Sequence, residues 1–252
     1  MTESVDNMRF GDFDLPPIDI AFQPIFDIYT NRVRFYEALV RGPNGESAAS
    51  ILERIPPEAT AAFDNAIRIG AVTKAARLGL AETGAGLSIN LDFATDLMDP
   101  GSLDRFASIT QRLGLHNWKI IFELTEDTRL APAEIGAVVS RYCAHGFSTA
   151  LDDFGAGYSG LVTLAEVPTD FVKLDMDLIH DIDTSPVRAK IVAGIVGVLE
   201  KLGRRIVAEG VETPAELHSV RALGIRKVQG FLLGRPSMTE LQAQPYVHAL
   251  AA

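Results

Sequence analysis

Hydrophobic and polar positions along the chain fall into two kinds of segment. Short runs of β-branched and other apolar residues predict strands, and longer stretches with helical periodicity predict helices. The eight predicted strands cover residues 18–25, 33–40, 86–91, 119–124, 147–151, 171–174, 205–208 and 227–229. The clearest helical stretches cover residues 61–78, 103–113, 133–145, 186–202 and 214–223. Strands and helices therefore alternate along most of the chain.

The start of the chain departs from this alternation. The stretch 27–32 is too short for a crossover helix but suits a hairpin, so the first strand should run antiparallel to the second. Eight strands with intervening helices favour a closed barrel, because closure leaves no unprotected edge and a (β/α)8 barrel typically takes about 250 residues. We therefore expect an α/β fold, a modified TIM (β/α)8 barrel with an antiparallel first strand, over residues 18–252, preceded by a flexible tail over residues 1–17.

Composition narrows the classes of partner. The 252 residues are 47% hydrophobic and 22% charged, which suits one globular domain with a sizeable core. Thirty-three acidic against 23 basic residues give a net charge of −10, which disfavours a polymeric nucleic-acid partner. The single cysteine, Cys143, excludes an intramolecular disulfide and a thiolate metal cluster, and it fits a reducing cytoplasm. We expect no membrane association, since no apolar stretch approaches the roughly 20 residues that span a bilayer.

Polar side chains recur where the predicted strands end, which is where TIM barrels carry their chemistry. From the second strand to the eighth these residues are Glu37, Asn90, Glu123, the pair Asp152 and Asp153, Lys173, Glu209 and Gln229. Several carboxylates at one barrel mouth would repel one another unless cations neutralised them. Oxygen ligands without histidine or cysteine suit hard cations such as Mg²⁺ or Mn²⁺. Two such ions sharing an aspartate could generate a hydroxide and stabilise the charge on an attacked phosphate, with Lys173 holding the water.

These residues resemble the EAL-domain cyclic di-GMP phosphodiesterases. Residues 37–41 read EALVR, 152–155 read DDFG, 208–213 read AEGVET and 229–230 read QG, and the resemblance extends from Phe22 to Pro236 in the order typical of the family. Members are modified (β/α)8 barrels that hydrolyse cyclic di-GMP to linear pGpG with Mg²⁺ or Mn²⁺. The resemblance implies the same hydrolase activity here, with two ions in each active site.

The resemblance also assigns roles to individual residues. One metal ion would be held by Glu37, Asn90, Glu123 and Asp152, and the second by Asp152, Asp153 and Glu209. Lys173 and Gln229 would position the water, and Glu209 is either a ligand or the general base. Arg41 would bind a substrate phosphate, and Gln23, Leu39 and Pro236 would line the nucleotide pocket. Glu126 and Glu212 would support the site from behind its ligands.

The sequence departs from the family pattern at three positions. Ala156 replaces a usual threonine, Gly160 a common serine and Gly42 a common tryptophan, and none of them removes an expected ligand.

Two other functions are compatible with parts of the sequence. Residues 155–160 fit the dinucleotide pattern G-x-G-x-x-G with Asp175 twenty residues beyond the first glycine, although two aspartates directly before the glycines would repel a pyrophosphate. The stronger alternative is a catalytically weak or silent cyclic di-GMP receptor or protein-interaction module. The resemblance further implies a homodimer and leaves room for a regulatory partner acting in trans.

Overall fold

Eight strands form a closed barrel in the computed structural model, which describes residues 16–91, 101–125, 131–157 and 160–245. Each strand pairs with its neighbours in sequence, and the last pairs with the first. The first strand is antiparallel to both of its neighbours, and all other pairs are parallel. The predicted modified TIM barrel is thus confirmed. The strands are β1 (Asp19–Asp27), β2 (Arg32–Arg41), β3 (Gly86–Asn90), β4 (Ile120–Thr125), β5 (Ser148–Phe154), β6 (Phe171–Leu174), β7 (Arg205–Ala208) and β8 (Lys227–Val228).

The hairpin between β1 and β2 is held by the side chain of Asp27. Its carboxylate accepts hydrogen bonds from the N–H groups of Tyr29 and Thr30, both at 3.0 Å. Asn31 completes the turn at φ 53°, a left-handed conformation that asparagine tolerates better than most residues. The turn pairs Phe26 with Val33, and a register shift between Ile25 and Phe26 then brings Gln23 opposite Glu37, so that both side chains point to the same face of the hairpin.

The five long helices are confirmed, each bound lying within one residue of the predicted one. Four shorter helices were not predicted, because one or two turns do not establish a periodicity in the sequence. The α-helices of the described residues are Ala48–Leu52, Thr60–Arg77, Leu80–Thr83, Ser102–Arg112, Pro132–Ala144, Gly160–Glu166, Met176–Ile179, Pro186–Lys201 and Pro214–Ala222, and two 3₁₀ turns cover Pro57–Ala59 and Asn117–Lys119. Within the described ranges no helix has the length and apolarity needed to cross a membrane.

Two strand assignments differ from the sequence-based expectation. β5 continues to Phe154 instead of ending at Leu151, because Asp152 pairs with β4 and Phe154 pairs with β6. Glu37 lies inside β2 and not at its end, because β2 continues to Arg41 alongside the antiparallel β1.

The closed barrel also bears on the dinucleotide alternative. Dinucleotide sites of the G-x-G-x-x-G type form where the strand order of an open parallel sheet reverses. The glycine-rich segment here follows β5 of a closed barrel, which has no such reversal. The architecture therefore gives the dinucleotide reading no support.

Apolar residues pack in three places. One cluster covers the outside of β1 to β4 beneath the helices Thr60–Arg77, Ser102–Arg112 and Pro132–Ala144. A second lies between β5 to β8 and the helices Pro186–Lys201 and Pro214–Ala222. The third fills the barrel interior. It is a single apolar layer across six strands, which we call the floor, and it consists of Ile25, Phe35, Ile121, Ala150, Phe171 and Val207.

Candidate active site and metal centre

A polar layer lies directly above the apolar floor. Alternate residues of a strand point to the same face, so the residue two positions beyond each floor residue also points into the barrel. In the strands β2 and β4 to β7 the polar residue follows the floor residue by two positions, toward the C-terminal end of the strand. In the antiparallel β1 it precedes the floor residue by two positions. The resulting layer consists of Gln23, Glu37, Glu123, Asp152, Lys173 and Glu209. The chemistry of the mouth therefore rests on a rigid hydrophobic base.

Lys173 is the centre of this layer. Its side chain is 2% exposed, and its Nζ lies 2.8 Å from Glu209 Oε1, 2.9 Å from Glu123 Oε1, 3.0 Å from Asp152 Oδ1 and 3.6 Å from Glu37 Oε1. Burial alone would lower the pKa of Lys173, but the surrounding carboxylates outweigh burial and raise it well above its ordinary value. One permanent positive charge therefore faces four carboxylates.

A chain of hydrogen bonds joins β8 to β1 and β2 at the same level. Gln229 Nε2 lies 2.5 Å from Glu37 Oε2 and 3.1 Å from Gln23 Oε1, and it donates to both. Gln23 Nε2 in turn donates to the carbonyl of Gly234 at 3.1 Å. All three side chains are buried. The two glutamine amides are thereby fixed in orientation and bridge the place where the barrel closes.

Ser88 is a contributor that the sequence analysis missed. Its hydroxyl, buried inside β3, donates a hydrogen bond to Glu123 Oε1. Burial, reinforced by the charges of Glu37 and Asp152, raises the pKa of Glu123 well above its usual value in spite of Lys173. Ser88 lies two residues before Asn90 on the same strand face, and this spacing is the signal that could have identified it.

Two groups of carboxylates share one residue. Ligand oxygens of Glu37, Glu123 and Asp152 all lie within 4.8 Å of one another, and so do those of Asp152, Asp153 and Glu209. Asp153 has φ 53°, so this residue adopts a left-handed conformation directly after the shared aspartate. Partial burial of the Asp153 carboxylate, followed by the negative charge of Asp152, raises the pKa of Asp153 to about 6.

The donor set fits hard divalent cations. Glu123 Oε2 and Gln229 Oε1 are buried and accept no hydrogen bond from any described residue. Buried oxygens without a donor are costly unless a cation or an ordered water satisfies them. Carboxylate and amide oxygens are the ligands that such cations prefer. The carboxylates outnumber the one positive charge of Lys173, and two buried oxygens have no described donor. Both observations favour bound cations at this site.

The remaining expected residues lie at different distances from this centre. Asn90 ends β3 beside Glu123, on the strand face of Ser88, and its side chain is exposed at the mouth. Arg41 is half-buried and donates to the carbonyl of Val40 at 2.7 Å. Leu39 and Pro236 are half-buried, and Glu126 lies outside the described residues.

A cavity of about 240 Å³ opens beside the centre. It is lined by Gln23, Asp153, Asp175, Met176, Glu209, Gly210, Glu212, Gln229, Gly230 and Phe231. Leu39, Arg41 and Pro236 are not among these lining residues. The sequence analysis named neither Met176 nor Phe231, because an apolar side chain next to a strand end does not differ from ordinary packing. A larger cavity of about 370 Å³ lies near the N-terminal ends of β4 and β5, around Trp118, and has no carboxylate in its lining.

Comparison with known proteins identifies relatives over most of the chain. The family model described as the EAL domain matches residues 14–236. The Cyclic di-GMP phosphodiesterase PA2567 of Pseudomonas aeruginosa is 30% identical over 228 residues, covering 88% of this chain and 38% of the relative. The Cyclic di-GMP phosphodiesterase PdeR of Escherichia coli is 34% identical over 151 residues, covering 60% of this chain and 23% of the relative. The chain thus spans well under half the length of these curated relatives.

Solved structures give the same result. A standalone versatile EAL protein from Vibrio cholerae O395, in its c-di-GMP bound form, superposes with a TM-score of 0.83 at 36% identity, covering 93% of this chain and 97% of the other. BlrP1 of Klebsiella pneumoniae, in a complex with manganese and cyclic di-GMP, superposes with a TM-score of 0.84 at 32% identity, covering 93% and 59%. A complex of BlrP1 with calcium and cyclic di-GMP also matches, with a TM-score of 0.84 at 33% identity, covering 91% of this chain and 58% of the BlrP1 chain.

Proposed function

The chain belongs to the EAL-domain family, and on that basis we propose that it hydrolyses cyclic di-GMP to linear pGpG with two bound divalent cations, Mg²⁺ or Mn²⁺. The observation that carries the proposal is the pair of carboxylate groups that share Asp152 beneath one cavity. Two cations bound to a shared carboxylate would supply a hydroxide nucleophile. They would also stabilise the charge on the attacking and the leaving oxygen of an in-line displacement at phosphorus.

Two sets of residues would hold the cations. Glu37, Asn90, Glu123 and Asp152 would bind one, and Asp152, Asp153 and Glu209 the other. Burial supports the first set, because Glu37, Glu123 and Asp152 are all less than 7% exposed and Ser88 fixes the carboxylate of Glu123. Asp153 and Glu209 also line the cavity, so the second set faces the substrate.

Lys173 and Gln229 would hold the attacking water. Lys173 places its ammonium between the two carboxylate groups, where it can donate to an oxygen that approaches from the cavity. Gln229 cannot rotate freely, because its amide nitrogen is committed to Glu37 and Gln23. Its Oε1, which accepts no hydrogen bond from the described residues, is then available to accept a hydrogen bond from the water. Glu209 could act as ligand or general base from the position it occupies.

The substrate would lie in the cavity beside these groups. Gln23 and Glu212 are part of its lining, and Glu212 would support the loop after β7. Arg41 would bind a phosphate with a guanidinium that is anchored on Val40, and Leu39 and Pro236 would contact the nucleotide at the margin. Phe231 is 42% exposed in the lining and offers a flat apolar surface to a guanine base.

Turnover of cyclic di-GMP with and without metal tests the proposal. The purified chain with Mg²⁺ or Mn²⁺ should produce pGpG, measured by liquid chromatography, and EDTA should stop the reaction. Asp152→Asn removes the shared ligand and should abolish turnover, whereas Asp183→Asn changes an exposed aspartate and should leave turnover unchanged. Tight binding of cyclic di-GMP without hydrolysis would instead support the receptor alternative, and full activity of Asp152→Asn would refute the metal assignment.

The wider organisation is also proposed. We place the chain in the cytoplasm, with residues 18–252 as one barrel domain and regulation by a partner in trans. The tail expected over residues 1–17 lies almost entirely outside the described residues. A homodimer is supported by exposed apolar side chains on two helices, among them Leu161 at 70% and Val187 at 68% exposure. Analytical ultracentrifugation of the wild type and of Val187→Glu would test it. A monomeric wild type at micromolar concentration would contradict it.

A further inference from the structure

Glu216 is a buried carboxylate that touches neither the metal ligands nor the cavity. It is the third residue of the helix Pro214–Ala222 and is 4% exposed. At this position a glutamate normally accepts only from the backbone at the start of its own helix, in a capping box with the N-cap residue. That box is present here with Thr213, whose hydroxyl accepts from the N–H of Glu216 at 3.2 Å. The carboxylate, however, has further partners.

The two oxygens of Glu216 serve two different segments. Oε2 accepts from the N–H groups of Glu212 at 2.9 Å and Thr213 at 3.0 Å, in the loop after β7. Oε1 faces the N–H of Asp181 at 3.3 Å and Nδ1 of His180 at 3.4 Å, in the segment after β6. Burial acts to raise the pKa of Glu216, but these hydrogen bonds outweigh it and lower the pKa below the usual value. The group is therefore an anion that joins two loops.

These two loops form one wall of the cavity. The segment after β6 supplies Asp175 and Met176, and the loop after β7 supplies Glu209, Gly210 and Glu212. They touch directly, because a Cβ on Gly210, which has φ +67°, would lie 2.4 Å from the Cβ of Met176. Glu209, the expected metal ligand in this wall, is held independently of Glu216, because its N–H donates to the carbonyl of Leu174 in β6 at 3.1 Å.

We propose that Glu216 is a positioning residue that joins the loops after β6 and β7 and thereby sets the shape of the wall that contacts cyclic di-GMP. This inference rests on the proposed function. Because Glu209 keeps its own anchor, loss of the clamp should weaken substrate binding more than it changes the metal centre or the chemical step.

The isosteric variant Glu216→Gln tests the proposal. A glutamine amide must turn its NH₂ group toward one of the two donor pairs, so one loop loses its acceptor whichever way the amide rotates. We expect KM for cyclic di-GMP to rise about tenfold, which corresponds to the loss of one charged hydrogen bond, with kcat within about twofold. The matched control is Glu134→Gln, at the same position of the helix Pro132–Ala144, where Ala131 is the only described residue that donates to the carboxylate. It should leave both constants unchanged.

Hydrogen exchange measured by mass spectrometry gives a second readout that needs no turnover. In Glu216→Gln, peptides covering residues 176–181 and 209–213 should both exchange faster than in the wild type. A cap that serves only its own helix would accelerate the second peptide alone, and that result would overturn the proposal. Unchanged kinetics in Glu216→Gln, a fall in kcat at constant KM, or an equal effect of Glu134→Gln would overturn it as well.

The two proposals can fail separately. If the wild type does not hydrolyse cyclic di-GMP, the proposed function fails, and the exchange of the two peptides still decides whether Glu216 joins the loops. Should Glu216→Ala unfold the chain, the isosteric variant retains the side-chain volume, and its thermal transition shows whether the fold is intact.

Discussion

Lys173→Met should destabilise the metal-free protein far more than an ordinary lysine substitution does. Methionine nearly matches the length of lysine but leaves the carboxylates of Glu209, Glu123 and Asp152 without the ammonium that now lies 2.8 to 3.0 Å away. Removing one partner of a buried ion pair costs about 3–5 kcal/mol, because the remaining charge stays buried. We expect a loss near 4 kcal/mol, which is a large fraction of a typical unfolding free energy of about 5–15 kcal/mol.

Divalent cations should offset this loss. The carboxylate oxygens of Lys173→Met remain in place, so a bound cation would neutralise part of the uncompensated charge. A cation at about a hundred times its dissociation constant stabilises the folded state by about 2.7 kcal/mol. The assay is urea unfolding at pH 8, in EDTA and again in Mn²⁺. Alkaline pH limits protonation of Glu123 and Glu209, whose pKa values burial holds well above their usual range.

Lys74→Met provides the matched control. Lys74 likewise forms an ion pair, but with a single carboxylate: its Nζ lies 2.5 Å from Asp19 Oδ1 at the barrel exterior, and its side chain is 15% exposed. We expect a loss of about 1 kcal/mol that does not depend on metal, with turnover unchanged. Lys173→Met should in addition lose turnover by about a thousandfold, as expected when a donor to the reacting centre is removed. Equal stability of the two variants in EDTA would refute the electrostatic account of Lys173.

Two further predictions concern packing and pH. In Gly230→Ala the added Cβ would lie 2.0 Å from the carbonyl oxygen of Val211, so the free energy of unfolding measured in urea should fall by about 2–3 kcal/mol. In the control Gly194→Ala the added Cβ meets open space, and the variant should gain up to about 1 kcal/mol from the higher helix propensity of alanine. Equal effects of the two substitutions would contradict this prediction. The pKa of His145 is raised by the main-chain carbonyl one turn earlier and by Asp104, so its contribution of at most about 1 kcal/mol should be complete below pH 6.5 and disappear at higher pH. The stability difference between wild type and His145→Gln should shrink from pH 6 to pH 8.5, and a constant difference would refute the assignment.

The fold could be predicted because its strongest signals are local. The hairpin of β1 and β2, the long helices and the strand count all follow from periodicity and turn chemistry. The predicted end of β5 was wrong, because aspartates usually end a strand and only tertiary pairing keeps Asp152 within one. The helix Gly160–Glu166 was missed for a similar reason, since its few turns are stabilised by contacts that the sequence does not show.

The candidate site was predictable to the extent that charge is rare inside a barrel. The inward-facing carboxylates and Lys173 stand out from their apolar strands. Ser88, Met176 and Phe231 do not, because small hydroxyl and apolar side chains are common in strands and turns. Glu216 could not be identified as a link between two loops, since its capping pattern records only its own helix and the partner Asp181 is distant in sequence.

The way the barrel closes has a consequence for its folding. The strand pairing between β8 and β1 in the described residues consists of two pairs, Phe26 with Val228 and Asp27 with Lys227, at the largest separation in sequence within the sheet. Contacts that close so long a loop carry a high entropic cost and form late, whereas the β1–β2 hairpin can form early. The amide bridge from Gln229 to Glu37 lies on this late seam. A chain that has folded only as far as β7 would therefore lack the bridge, so the mouth becomes complete only when the last strand docks.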